Sequence, residues 1–150
     1  VKATLFTDAG ARGNPGPAGI GVVLKDETGT VIGEIAEAVG VTTNNVAEYK
    51  ALVAGLELAH ENGVTDIEVY MDSKLVVFQV KGEWKIKNNS LRPLAVRARH
   101  LLDRFENWTL SHVGREENAD ADKLANQGMD AAQLDAELDA EGGGQQTFLQ

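Results

Sequence analysis

The stretch that most constrains this chain runs from Thr4 to Gly21, TLFTDAGARGNPGPAGIG. Lys2 to Thr7, which lead into it, roughly alternate and are β-branched and aromatic enough to predict a strand, and that strand stops at an acid, Asp8. From Ala9 to Gly19 glycine and proline are dense enough to disfavour both helix and regular strand, so a tightly turning loop is predicted. A second apolar run, Gly19 to Leu24, leads away from it. An acid at a strand end beside bare backbone amides suits a site that holds a metal ion and a phosphate together. An aspartate that only hydrogen-bonds its own turn would leave the same trace. The rest of the chain decides between them.

Gly19 to Lys25 reads as a strand, DETG at Asp26 to Gly29 as a hairpin turn, and Thr30 to Val39 as the partner strand, so three antiparallel strands open the fold. Gly40 to Asn45 is a loop with four potential helix caps: Thr42, Thr43, Asn44 and Asn45. Val46 to Asn62 carries apolar residues at helical spacing and stops at Gly63. Asp66 to Met71 is a short apolar strand ending at Asp72, and Ser73 to Val80 a helix started by the Asp-Ser pair. Leu91 to Phe105 is a helix with Pro93 in its first turn, Trp108 to Val113 a final strand, and Asn118 to Met129 a last helix. The expected fold is α/β: a five-stranded mixed sheet, antiparallel and then parallel, flanked by helices. Residues 1–129 form one domain, and the acidic, Gly/Gln-rich residues 130–150 are expected to be a disordered tail.

The formal net charge of -9 argues at first against a nucleic-acid partner, but five of the acids (Asp130, Asp135, Glu137, Asp139, Glu141) fall in that tail. Half of the 14 bases, by contrast, fall between Lys81 and Arg104, where the only acids are Glu83 and Asp103. A basic segment on an acidic protein suits a face that holds a polyanion, although a solvated amphipathic helix would look the same by charge. No apolar run is long enough to span a bilayer, no basic-then-apolar leader is read, and there is no cysteine. We therefore expect a soluble cytoplasmic protein, monomeric, with no membrane partner.

Four acids stand out by position. Asp8 and Asp72 end strands, Glu48 sits in the first turn of the first long helix, and Asp122 sits near the start of the last. In a mixed sheet, strand ends and neighbouring helix starts can converge on one patch. Carboxylates a few ångströms apart resist ionising together, and a hard divalent cation removes that conflict. An oxygen-only ligand set with no Cys or His selects magnesium or manganese over zinc.

The blocks around these acids are FTDAGARGNPGPAGIG, TTNNVAEYKAL, VYMDSKLV and REENADADKLAN. In order and approximate spacing they resemble type 1 ribonuclease H, in its compact archaeal and bacterial form without an amino-terminal hybrid-binding domain. The resemblance implies endonucleolytic hydrolysis of the RNA strand of an RNA/DNA hybrid, giving 5′-phosphate and 3′-hydroxyl ends. It also implies that Asp8, Glu48, Asp72 and Asp122 hold two ions, Mg2+ or Mn2+. Asp120 is the decoy, because the pattern aligns on Asn118, Ala121, Asp122, Leu124 and Ala125. A DNA-cleaving enzyme of the same fold and a non-catalytic hybrid-binding module are the alternatives. The asparagine set argues against the first, and the full set of acids against the second.

By the same resemblance Asn14, Asn44 and Asn45 line the substrate groove with backbone groups of the Gly13 loop, where amides, being donor and acceptor both, can read a 2′-hydroxyl. Thr43 resembles a phosphate-pocket residue for the DNA strand, and Ser73 and Lys74 stand where the family contacts the minor groove. Trp84, Lys85 and Lys87 lie in KGEWKIKNN, where longer relatives carry a basic protrusion that is short here. Many relatives place a mobile histidine before the last acid. Arg115 heads that loop in this chain and, staying protonated, can bind a phosphate but not shuttle a proton. His112 is expected to be a packed strand residue, and His60 and His100 are assigned no chemistry.

Overall fold

The computed structural model describes residues 1–149, with side chains described as far as Glu141. Its elements are β1 (Lys2–Ala11), β2 (Gly16–Asp26), β3 (Val31–Thr42), α1 (Asn44–Glu61), β4 (Asp66–Met71), α2 (Lys74–Val80), α3 (Arg92–Asp103), β5 (Asn107–His112) and α4 (Ala119–Leu149), with a 3-10 turn at Arg115–Asn118 before α4. The sheet runs β3-β2-β1-β4-β5. β1 pairs antiparallel with β2 and β2 with β3, whereas β1–β4 and β4–β5 are parallel, as the order of elements predicts.

Side-chain alternation sends the two faces of β1 to different helices. Leu5 and Thr7 point toward α1, where Gly55 lies so close that a Cβ would meet both side chains. Leu5, Val22, Leu24, Leu52, Leu56, Val69, Leu101 and Leu110 form the main core between the sheet and the helices α1 to α3. The other face of β1 and β2 carries glycine where α4 crosses: a Cβ on Gly19 would overlap the Met129 backbone nitrogen, and one on Gly21 the Ala121 carbonyl. Glycine here permits helix and sheet backbones to touch.

That contact corrects the predicted loop. Gly10 and Gly16 lie in strands, the reversal is confined to Arg12–Pro15, and Asp8 sits inside β1, paired with Gly21, in the strand expected from Gly19 onward. β3 also runs on to Thr42, through half of the loop expected at 40–45. α1 starts at Asn44 with Thr43 as its cap, so Glu48 lies just beyond the first turn.

The expected tail is corrected over the residues whose side chains are described. α4 does not stop at Met129: Ala132 is buried, and Arg12 binds Asp130 and Gln133. Acidity suggested disorder, but Ala131 to Glu141 is built of alanine, leucine, glutamine and acids, mostly good helix formers that need only one anchored face. The remainder of that expectation, on residues 142–150, lies outside the described side chains. No helix among the described residues is long and apolar enough to cross a membrane.

Candidate active site

Thr7 of β1 pairs with Met71 of β4, so Asp8 and Asp72 follow at the same level of the sheet. α1 delivers Glu48 beside them, and carboxylate oxygens of Asp8, Glu48 and Asp72 all lie within 4.8 Å of one another. Asp122, in the first turn of α4, reaches the Asp8 carboxyl from the opposite side. The four acids line an open cleft of about 630 Å³ together with Asn44, Asn45, Ser73, His112, Arg115 and Asn126.

The cluster is electrostatically unsatisfied. Burial, then the charge of Asp72 and the carboxyl contacts with Asp122 and Asp72, push the Asp8 carboxyl up to about 8, against one favourable bond from the Ala9 amide. Burial first, and then Asp8 and Asp72, hold Glu48 well above the usual carboxylate range. The Glu48 Oε2 atom is buried without a hydrogen-bond partner. An orphaned buried oxygen among acids that resist ionising together fits a hard cation, and the donor set is all oxygen.

Two asparagines fix the start of α4 and the acid it carries. Asn118, itself buried, donates to the Thr7 carbonyl at 2.9 Å and pins the start of α4 against β1. Asn126, one turn past Asp122, donates to the Asp122 carbonyl at 3.0 Å and to its Oδ2 at 3.4 Å. Asn126 was given no role by sequence reasoning, although its i, i+4 spacing from Asp122 on a helix was the available signal. Asp120 points elsewhere and faces Lys25 at 3.7 Å, as expected of the decoy.

The asparagines join the hairpin to α1. Asn14 Oδ1 accepts from the Asn44 amide at 3.0 Å, and Asn44 Oδ1 accepts from the Ala11 amide at 3.1 Å. Thr43 caps α1 by accepting from Val46, and Ser73 caps α2 by accepting from Val76. Gly13, with φ 104°, turns the exposed hairpin beside them. Arg115 is exposed on the cleft wall, and His112, expected to be packed away, is only half-buried and lines the same wall. His60 is structural: its Nε2 lies 2.8 Å from the Leu101 carbonyl oxygen, and its ring stacks on Phe105. Lys74, Trp84, Lys85 and Lys87 are exposed and do not line the cleft. The segment of the last three follows α2 without a helix of its own.

Comparison with known proteins gives this geometry a family. The sequence model of a family described as "Reverse transcriptase-like" matches residues 6–128. The chain is 47% identical over 142 residues to the "Bifunctional protein Rv2228c" of Mycobacterium tuberculosis, covering 94% of this chain and 39% of that protein. It is 46% identical over 127 residues to the "Ribonuclease HI" of Halobacterium salinarum, covering 85% of this chain and 64% of that one. The chain thus spans less than two thirds of the length of either relative. Among solved structures, LC11-RNase H1 in complex with an RNA/DNA hybrid superposes with a TM-score of 0.81 at 43% identity, covering 87% of this chain and 98% of that one. On sequence and sheet order, this chain belongs to the type 1 ribonuclease H family.

Proposed function

We propose that the protein hydrolyses the RNA strand of RNA/DNA hybrids, with Asp8, Glu48, Asp72 and Asp122 as the metal-holding carboxylates. The observation that carries this reading is the convergence of Asp8, Glu48 and Asp72 within 4.8 Å, with one Glu48 oxygen buried and unpartnered. The similarity to a ribonuclease H1 solved with a hybrid supports the substrate.

Two divalent cations, magnesium or manganese, held by these carboxylates would activate a water for attack on phosphorus and stabilise the leaving 3′-oxygen, giving 5′-phosphate and 3′-hydroxyl ends. The chain's own residues do the rest. Asp8 and Glu48, driven toward the neutral form when alone, ionise when a cation neighbours them, so the cluster is poised to exchange protons for metal. Asn44 and Asn45 face the cleft with amides able to give and accept a hydrogen bond at a 2′-hydroxyl, and Asn14, beside Gly13, supports Asn44 by accepting from its backbone amide. Arg115 on the wall binds a phosphate and stays charged throughout, so it steers substrate and product without taking part in proton transfer. Thr43, Ser73 and Lys74, at two helix starts, serve the backbone of the duplex. Trp84, Lys85 and Lys87 extend the grip along the DNA strand by stacking and charge.

The test is cleavage of one end-labelled RNA strand annealed to DNA, to RNA or left single, with Asp8→Asn as the blank. Cutting confined to the DNA-paired strand supports the reading. Equal cutting of all three substrates contradicts the selectivity, and tight binding without cutting leaves a binding module.

A further inference from the structure

Outside the cleft, a buried polar relay runs from α1 through α2 to the basic segment that follows it. Tyr49, the residue after Glu48, is fully buried, and its hydroxyl donates to Gln79 Oε1 at 2.7 Å. Gln79 is itself buried, and its Nε2 donates to the Lys85 carbonyl at 3.2 Å. The relay uses both ends of one amide, and a side chain of the same shape without polar atoms would orphan the Tyr49 hydroxyl and the Lys85 carbonyl together.

Ile86 of that segment is half-buried against the main core, and the remaining anchors lie nearer α2. The Glu83 and Trp84 amides donate to the Phe78 carbonyl at 2.9 and 3.1 Å, Arg99 Nη1 donates to the Val80 carbonyl at 3.3 Å, and the Trp84 ring lies 5.0 Å from that of Phe78. These bonds fasten the first residues after α2. Among the described residues, the hydrogen bond from Gln79 ties the Lys85 backbone to the body of the protein, while Trp84, Lys85 and Lys87 all reach solvent.

We propose that Gln79 is the positioning residue that preorganises the Trp84–Lys87 arm for the DNA strand, and that through Tyr49 it fixes this arm relative to the helix carrying Glu48. The substrate part of this inference rests on the functional reading above. Gln79 touches neither the cleft nor an exposed surface, so its effect is on ordering the arm before binding. A preorganised arm lowers the entropy lost when a duplex is gripped and leaves the chemical step alone.

The experiment compares wild type with Gln79→Met and with Tyr49→Phe, which removes only the hydroxyl and keeps the ring in the core. Hydrogen exchange of the 82–88 backbone in the free protein is measured alongside KM and kcat on a hybrid. The expected result for Gln79→Met is exchange faster by about tenfold in 82–88, with α1 and the sheet unchanged, and a KM raised by about tenfold at a kcat within about twofold of wild type. Tyr49→Phe moves both in the same direction by less, and it carries the test should Gln79→Met fail to fold. Unchanged exchange in 82–88, or a kcat that falls while KM holds, overturns the proposal. Absence of cleavage by the wild type overturns the functional reading instead, and the exchange result still decides whether Gln79 orders the arm.

Discussion

Asp8 and Asp72 stand side by side because β1 and β4 run parallel, with Thr7 paired to Met71 and each acid the next residue along. The register of two strands 64 residues apart in sequence thus places two carboxylates at one point of the sheet, and α1 and α4 add Glu48 and Asp122 to it. The cluster works against folding in the absence of a counter-charge, and most of the testable consequences stem from that.

Removing one charge from the cluster relieves it. Asp8→Asn is expected to raise the metal-free stability by on the order of 1 kcal/mol while reducing hybrid cleavage on the order of 10³-fold or more. Urea unfolding in chelator and cleavage in magnesium check the two halves. A variant that is inactive and also less stable would mean that Asp8 is a structural acid.

The pH dependence follows from the same burial. Asp8 rises from an ordinary 3.8 to about 8 in the folded protein, so the native state holds a proton that the unfolded chain releases at lower pH. Its contribution to stability is fully present below about pH 4 and is lost as pH rises through about 8. In chelator, the melting temperature should therefore carry a component that falls over this range, larger in wild type than in Asp8→Asn. Magnesium should flatten it.

α4 approaches β2 closely enough that glycine is required. Gly19→Ala and Gly21→Ala each set a methyl group against helix backbone, and a loss of about 1–3 kcal/mol is expected in urea unfolding. Because the displaced helix carries Asp122, cleavage should fall even where the variant remains folded. Gly29→Ala, at an open turn with φ 86° and nothing near its Cβ, is the comparison that should leave cleavage unaffected.

The neighbouring acids of α4 should separate cleanly. Asp120→Asn loses only an exposed contact with Lys25 and should keep near-wild-type cleavage and stability within about 0.5 kcal/mol. Asn126→Ala, which frees the Asp122 side chain, should lower activity by about tenfold, and the loss should shrink as metal concentration rises.

Much of this arrangement is legible in the sequence, because Asp72 directly follows a strand, Asp122 lies in the first turn of a helix and Glu48 shortly after the start of another, although Asp8 lies within β1 rather than at its end. The order of elements and the parallel β1–β4 pairing follow from strand-helix-strand spacing. Gly10 and Gly16 were misread as loop residues because glycine marks both turns and close approach, and the Met129 side chain that meets Gly10 comes from a helix much later in the chain. The continuation of α4 past Met129 was hidden by charge, which argued for solvation while alanine and leucine favoured helix. Gln79 carried no signal at all: a glutamine within an apolar helical run has the same appearance whether its amide meets water or a buried tyrosine.

The most direct measurement is single-turnover cleavage of a hybrid carrying a 5′-labelled RNA strand, with magnesium supplied, removed by chelator and restored. Wild type should cut only when the metal is present, recover on its return and leave 3′-hydroxyl ends on the labelled fragments, while Asp72→Asn remains silent throughout. Cleavage that persists in chelator, or that Asp72→Asn retains, would contradict the assignment of the four carboxylates as a metal-holding active site.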